Sequence, residues 1–325
     1  MTITSFANKL LASVGVPNPW ATKALGVDMA RWNTTVDYAN MKGTIDFIIA
    51  RLGNGAYEVN TWNSDTLNRP YDQMFDTHCQ GAYDVDLPFM AYWNFLPWQL
   101  NNGDITLEHI KNTLLTKLKY KVRAAGTGRP SVYALWIDVE VADDHSGRGI
   151  NVLPDRIVKY TQDVVHLAQD LFPETVVGVY TSGGFVSSFA PDMTDLLVNE
   201  NIPLWTAQWL TKATPVVYLN KIADIRNYLP LATSKPRYGN LMPGYLWKLW
   251  QFYGDHFVFP KTLGAVDINL AQMSVQELRK WLRYVPQGSP VEPPPPVEPP
   301  YVFTIDERVD QLETFVEELG YTGPK

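Results

Sequence analysis

Four acidic residues stand out because each lies at the end of an apolar, strand-like segment. Asp28 ends ALGVD, Asp138 and Glu140 end YALWIDVE, and Asp267 lies in AVDIN. Residues two apart on a strand point to the same face, so the Asp138 and Glu140 side chains are predicted to project together. Repulsion between two such carboxylates raises the pKa of one of them, which keeps it protonated for use as a general acid.

Two kinds of chemistry use carboxylates in this way. Glycoside hydrolysis depends on paired acidic side chains, and a divalent-metal site is the competing use of the same oxygen atoms. The five histidines show no metal-ligand spacing, which favours hydrolysis, and no metal site is predicted. Strand-end caps or ion pairs would explain one such acid, but they explain four acids at three strand ends less well.

The elements that must position these acids are eight short apolar segments between about residues 25 and 285. Helical patterns lie between several of them, for example at 104–124 and 155–171. This alternation is typical of an α/β parallel sheet buried on both faces. The number of segments and the length of this region fit an irregular TIM-like barrel, in which the catalytic residues lie at the carboxyl ends of the strands. A doubly wound sheet is the alternative, but no glycine-rich loop follows the first segment. The segments are ALGVD, DFIIARLG, LPFMAYWNF, YALWIDVE, VVGVYTS, PLWTAQWL, LWKLWQF and AVDIN.

The composition excludes several classes of protein. The chain has 325 residues, of which 46% are hydrophobic and 19% are charged, and this is typical of a globular protein. A single cysteine excludes an intrachain disulfide framework. With 27 basic and 34 acidic residues the net charge is −7, so a nucleic-acid surface is not expected. No apolar run is long enough to insert into a membrane.

The two ends of the chain differ from its body. Residues 1–24 form a lead-in with a short helix predicted at 5–14, and they show no secretory signal pattern, so synthesis in a cytoplasm is expected. Residues 286–300 contain eight prolines and are predicted to be a linker. Residues 301–325 form a short amphipathic helical tail in our interpretation, either a frayed end or a segment for self-association or docking to an assembly.

In their order along the chain, these motifs resemble glycoside hydrolase family 25, the Chalaropsis-type lysozymes (N-acetylmuramidases) common among phage endolysins. The similarity runs from about Gly26 to Leu270. The opening GVDMARWNTTVDYANMKGTIDFIIARLGNG resembles the family's first two strands, LPFMAYWNF its LPxGxYHF element, and LWIDVE its D-x-E strand. VGVYTSGGF, PLWTAQW, LWQF and AVDIN are similar to its IYT, LWxAxY, xWQY and VDxN elements.

The resemblance implies an irregular barrel of about eight strands and five helices that cleaves the β-1,4 bond between N-acetylmuramic acid and N-acetylglucosamine in bacterial peptidoglycan. It makes Glu140 the general acid and Asp138 its assistant, with Asp28 and Asp267 completing an acidic floor. Acid–base catalysis of this kind needs no cofactor. Aromatic residues near strand ends are expected to stack on sugars, with core packing as the alternative for each: Tyr92, Trp93, Tyr180, Trp209 and Trp250.

Some positions depart from the family pattern. Trp93 stands where histidine is usual, Asn94 where an aromatic residue is usual, and Ala30 and Asn33 replace serine and glutamine. These changes affect the expected subsite preference more than the roles of the acids. The resemblance favours a phage-type lysin that reaches the cell wall after release. The alternatives are a virion or injection-machine component that cuts or only binds wall glycan, and a non-catalytic binder, which would not need the Asp138–Glu140 pair.

Overall fold

The computed structural model describes residues 9–15, 18–55, 71–119, 121–122, 130–142, 152–209, 217–218, 229–230, 247–259, 261–262 and 264–287. The strands among these residues are β1 (Lys23–Met29), β2 (Phe47–Asn54), β3 (Phe89–Asn94), β4 (Ala134–Asp138), β5 (Val176–Ser182), β6 (Leu204–Ala207), β7 (Val217–Tyr218), β8 (Trp247–Val258) and β9 (Val266–Ser274). The helices are α1 (described over 9–13), α2 (Tyr38–Lys42), α3 (Phe75–Asp84), α4 (Pro97–Asn101), α5 (Leu107–Leu118), α6 (Pro154–Leu171), α7 (Gly183–Phe189), α8 (Met193–Asn199) and α9 (Val275–Trp281).

Eight of the strands close into a barrel. The strands β1 to β6 pair in chain order and in parallel, β6 pairs with β8, and β9 joins β8 to β1. The predicted barrel is therefore confirmed. The expected parallel pairing is found from β1 to β6 and between β6 and β8, whereas β9 runs antiparallel to both β1 and β8. The helix count also differs, since the described residues contain nine helices, most of them only five to seven residues long.

The alternation along each strand separates two apolar layers. In β4, Leu135 and Ile137 face the surrounding helices, whereas Ala134 and Trp136 fill the inside of the barrel. Leu278 of α9 belongs to the inner layer, because α9 follows the antiparallel β9 to the amino ends of the other strands. One half of the barrel interior is therefore apolar, and the other half, at the carboxyl ends of β1 to β6, is left for polar side chains.

The large rings inside the barrel require glycine on neighbouring strands. A Cβ atom on Gly178 would lie 2.5 Å from the Trp136 ring, and one on Gly26 would lie 2.2 Å from the Phe47 ring. Complete burial of a side chain such as Phe47 contributes about 1.5–3 kcal/mol. These glycines therefore allow the aromatic filling that holds the strands around the site.

The lead-in and the carboxyl end are described only in part. Residues 9–13 are helical, which agrees with that part of the helix predicted at 5–14. The chain divides into two units, Met1–Ser289 and Pro290–Lys325. Most of the predicted linker and the whole predicted tail lie outside the described residues. Among the described helices, none has the length and apolar character that crossing a membrane requires.

Candidate active site

The strand register brings three of the four predicted acids to one rim of the barrel, and Glu140 follows two residues after Asp138. Asp28 of β1 lies directly opposite Asp267 of β9, and Asp138 of β4 lies between Asn94 of β3 and Tyr180 of β5. Because β9 is antiparallel, Asp267 reaches this rim from the beginning of its strand, whereas Asp28 and Asp138 reach it from strand ends. The prediction of a shared rim thus holds for Asp267, although the expected strand direction does not.

Asp28 is anchored by two amide groups. Its side chain is only 7% exposed. Its Oδ2 accepts hydrogen bonds from Gln251 Nε2 at 3.0 Å and from Asn269 Nδ2 at 2.7 Å. The same Gln251 Nε2 donates to Asp267 Oδ2 at 3.1 Å. These amide donors hold the carboxylate oxygens in place, so Asp28 and Asp267 form a fixed acidic floor on this side of the rim.

Gln251 is the centre of that floor. Its Oε1 accepts a hydrogen bond from the Tyr180 hydroxyl at 3.0 Å and another from Trp209 Nε1 at 3.0 Å. Its amide nitrogen is used by the two aspartates, so only one orientation of the amide satisfies all four partners. Gln251 therefore couples the acidic floor to two of the aromatic residues predicted to bind substrate.

Asn269 has a similarly fixed amide. Its Oδ1 accepts from Trp205 Nε1 at 2.8 Å while its Nδ2 holds Asp28. The sequence reasoning missed both Gln251 and Asn269 as site residues. The available signal was their position in LWQF and AVDIN, one or two residues from groups that were predicted to act.

Asp138 is the most enclosed of the four acids. Its side chain is 2% exposed, and its Oδ1 has no hydrogen-bond partner among the described protein atoms. Burial raises the pKa of Asp138 well above its usual value, and the charges of Glu140 and Asp28 raise it further, whereas Arg51 acts in the opposite direction. Asp138 is thus a carboxyl group whose charged form is disfavoured and whose Oδ1 is not committed to another described side chain.

Glu140 lies just beyond β4 on the same face. The backbone amide of Val139 still donates to the Tyr180 carbonyl at 2.9 Å, which continues the pairing with β5 past Asp138. The Glu140 side chain is exposed at the rim. Partial removal of water by the surrounding protein raises the pKa of Glu140, and the charge of Asp28 raises it further. An accessible carboxyl group that stays protonated above its usual range is suited to donating a proton.

Arg51 is a third residue that the sequence reasoning did not assign. It lies opposite Tyr92 in the register of β2 and β3. Its guanidinium forms an ion pair of 2.9 Å with Asp72, whose side chain is fully buried. The Asp72 carboxylate therefore fixes a positive charge close enough to Asp138 to lower its pKa. The only sequence signal was its place in the strand segment DFIIARLG.

Three of the predicted aromatic residues lie at this rim. Tyr92 is half-buried and packs edge-on against Trp205 at 5.8 Å between ring centroids, and Tyr180 packs against the same ring at 4.3 Å. Burial raises the pKa of both tyrosines well above the usual value, so their hydroxyl groups remain protonated. Trp209 is 50% exposed, and Gly254 beneath it has no side chain that would displace its ring.

The other two predicted aromatic residues lie elsewhere. Trp93 and Trp250 are fully buried in the layer between the barrel and its helices. Their indole nitrogens donate to backbone carbonyls, Trp93 to Gly55 at 2.9 Å and Trp250 to Gln208 at 3.0 Å. Strand alternation is the cause, because neighbours of inward-facing Tyr92 and Gln251 must face outward. We therefore assign Trp93 and Trp250 to core packing rather than to sugar stacking.

Among the residues that the structure describes, no group of three or more His, Cys, Asp or Glu side chains is placed to hold a metal ion. What the geometry brings together is one exposed protonatable carboxyl, one buried carboxyl, and a floor of two aspartates held by amides. This arrangement can donate a proton and stabilise positive charge that develops in front of it.

The comparisons with known proteins concern the fold. No family model matches the sequence, and no curated protein matches it. The solved structure of the bacterial lysozyme from Streptomyces coelicolor is 15% identical, with a TM-score of 0.54, over 79% of this chain and 95% of that one. The muramidase from Trichobolus zukalii is 16% identical, with a TM-score of 0.53, over 80% of this chain and 99% of that one.

A third solved structure extends the same likeness. The family 25 glycoside hydrolase lysozyme from Aspergillus fumigatus is 16% identical, with a TM-score of 0.51, over 81% of this chain and 100% of that one. At these identities the likeness shows the fold. The predicted resemblance to the barrel of the family 25 lysozymes is therefore confirmed at the level of architecture.

Proposed function

We propose that this protein is a peptidoglycan hydrolase, an N-acetylmuramidase that cleaves the β-1,4 bond between N-acetylmuramic acid and N-acetylglucosamine. The observation that supports this proposal is the Asp138–Glu140 pair at the carboxyl end of β4, in which burial and neighbouring acidic charges raise the pKa of each carboxyl. The likeness to solved lysozymes and muramidases supports the choice of glycan. No cofactor is required for this chemistry.

Glu140 is the general acid in this proposal. Its carboxyl proton moves to the glycosidic oxygen as the bond from that oxygen to the anomeric carbon breaks, which leaves the Glu140 carboxylate. The exposed position of Glu140 gives it access to a bound glycan, and its raised pKa keeps the proton available. A water molecule then bonds to the anomeric carbon and releases a proton, which restores the acid.

Asp138 assists from a more enclosed position. Its uncommitted Oδ1 is suited to accept a hydrogen bond from the sugar's acetamido N–H or from the attacking water. Positive charge develops on the sugar ring in the transition state, and it lowers the free energy of the ionised form of a neighbouring Asp138. The buried carboxyl thus interacts more strongly with the transition state than with the bound substrate, which is the condition for catalysis.

Asp28 and Asp267 contribute charge that is fixed before substrate binds. The amides of Gln251 and Asn269 hold their oxygens, so little reorganisation is needed when charge develops on the sugar. Tyr92, Tyr180 and Trp209 provide aromatic surface next to this floor. Of these three, Trp209 is the most accessible, at 50% exposure.

The test is to identify the new reducing ends made from purified peptidoglycan. We expect the wild-type chain to produce reducing ends on N-acetylmuramic acid, detected by reduction with borohydride and mass spectrometry. Glu140→Gln is the matched control, because it removes the acidic proton at almost constant volume. Reducing ends on N-acetylglucosamine, or intact glycan across several wall types, would contradict the proposal.

A second candidate is supported by the proline-rich segment that follows the barrel. Eight prolines within residues 286–300 separate the barrel from a tail, as expected if the barrel is tethered to a virion or injection machine. Removing residues 290–325 tests this. The cut preserves the hydrogen bond from the Gln287 amide to Asp86 at 2.7 Å, so the barrel keeps its described contacts. If the shortened chain lyses walls as well as the full chain does, a free phage-type lysin is favoured. If the shortened chain is no longer found in assembled particles, the tethered component is favoured.

A further inference from the structure

Trp32 is a large aromatic side chain on the surface near the acidic rim. It lies in the loop that follows β1, four residues beyond Asp28, and is 65% exposed. Single exposed apolar residues are common on proteins and need no explanation by themselves. The position of Trp32 becomes informative because the backbone that carries it is unusually well fixed.

The Asn33 side chain fixes the loop from one side. Asn33 is 2% exposed, and its Oδ1 accepts a hydrogen bond from the Ala30 amide at 3.0 Å while its Nδ2 donates to the Ala265 carbonyl at 2.9 Å. These bonds tie the loop after β1 to the chain just before Asp267. Gly264, with φ of +87°, lies so close that a Cβ atom there would be 2.8 Å from the Trp32 carbonyl oxygen.

Asp72 fixes the loop from the other side. The Arg31 backbone amide donates to Asp72 Oδ2 at 2.8 Å, and the same carboxylate oxygen holds Arg51 in the candidate active site. The Arg31 guanidinium lies 4.2 Å from the centroid of the Trp32 ring. The backbone next to Trp32 is therefore held by the same carboxylate that positions a residue of the site, and the Arg31 guanidinium lies over one face of the Trp32 ring.

We propose that Trp32 is a stacking platform for a sugar ring of the bound glycan strand, in a subsite away from the bond that is cut. This inference rests on the proposed function. Around the barrel, β2 and β3 separate β1 from β4, so Trp32 and Glu140 lie at different sides of the mouth. A glycan strand whose cleaved bond lies at Glu140 extends over the rim, where an exposed aromatic ring on a fixed backbone offers a flat face to a sugar at little cost in side-chain entropy.

Binding to insoluble peptidoglycan tests the platform without turnover. All variants are made in the Glu140→Gln chain, so that the polymer stays intact. We expect Trp32→Ala to weaken binding about tenfold, equivalent to about 1.4 kcal/mol, and Trp32→Phe to keep most of the affinity because a ring remains. Phe189→Ala is the matched control, since Phe189 is an exposed aromatic on α7 at 45% exposure, and it should bind as the parent does.

The outcomes separate the platform from the proposed function. The proposed role of Trp32 would be overturned if Trp32→Ala binds as tightly as the parent, or if Phe189→Ala weakens binding as much as Trp32→Ala does. Neither result would affect wall cleavage by the wild-type chain. A parent chain that binds no wall preparation would overturn the platform as well. The identity of the reducing ends, measured separately with the wild-type chain, decides whether the proposed function also fails.

Discussion

Replacing Gln251 with methionine tests whether the acidic floor is a connected network. Methionine has nearly the same length and volume but has no amide, so the substitution removes four hydrogen bonds at once. Two of these are donated to the Asp28 and Asp267 carboxylates, and two are accepted from the Tyr180 hydroxyl and the Trp209 indole.

The size of the effect follows from the kind of bond lost. A hydrogen bond to a charged group contributes about 1.5–3 kcal/mol and a neutral one about 0.5–1.5 kcal/mol. Asp28 keeps its bond from Asn269, and Asp267 is only partly buried, so water can replace part of what is lost there. At the lower values the four bonds together contribute about 4 kcal/mol. We expect a loss somewhat below that, about 3 kcal/mol in the free energy of unfolding, because Asn269 and water replace part of what is removed.

Urea unfolding followed by circular dichroism measures this loss, provided that the slope of the transition is unchanged. Gln80→Met is the matched control. Gln80 is on α3, and its described hydrogen bond is to Asp84 on the exposed surface, so its loss should cost no more than about 0.5 kcal/mol. If Gln251→Met destabilises the protein no more than Gln80→Met does, the network does not hold the floor.

A second substitution at the same position tests the sign of the electrostatics. Gln251→Glu keeps the shape but places a carboxylate 3.0 Å from Asp28 Oδ2, where the amide nitrogen now lies. At an effective dielectric constant of about 20, two charges at that distance repel by about 5 kcal/mol. The loss of stability relative to wild type should therefore be far larger at neutral pH than in acid, where carboxyl groups are protonated. Equal destabilisation at both pH values would refute this account.

Three further predictions concern the rim. Because the pKa of Glu140 is raised, wall cleavage should persist above the usual glutamate range and fall as pH rises through that pKa; a rate–pH profile with no alkaline fall would contradict its role as acid. Folding raises the pKa of Asp138, so its contribution to stability is present below the pKa of the unfolded state and is lost as pH rises through the pKa of the folded state. Asp138→Asn should therefore raise the melting temperature at neutral pH but not in strong acid. An equal gain at every pH would refute this. Gly254→Ala would place a Cβ atom 2.4 Å from the Trp209 ring and should weaken wall binding with a changed tryptophan fluorescence; unchanged binding and fluorescence would show that Trp209 does not depend on this contact.

The acids could be predicted because their signal is local. An apolar segment that ends in a carboxylate places that group at a strand end, and spacing of two places Asp138 and Glu140 on one face. The same rule separates Tyr92 from Trp93, which the structure places on opposite sides of β3. The same alternation therefore also predicts that Trp93 faces outward, but the excess of tryptophan favoured a sugar-binding interpretation.

Other features could not be read from local patterns. The segment AVDIN gives no indication of strand direction, and the antiparallel run of β9 depends on its pairing with β1 and β8. The roles of Gln251 and Asn269 depend on contacts across more than 200 positions of the chain, from β8 and β9 back to Asp28. The exposure of Trp32 likewise depends on the packing of its loop against Gly264 and Ala265.

In the proposed mechanism, Glu140 supplies the proton for glycan cleavage at the mouth of this barrel. The most direct test is the rate at which wild type and Glu140→Gln release soluble fragments from the same purified peptidoglycan, with urea unfolding of both as a measure of folding. We expect rapid release by wild type and none above background by Glu140→Gln, with unfolding midpoints that agree closely. Release by a folded Glu140→Gln chain at a rate near that of wild type would contradict this mechanism.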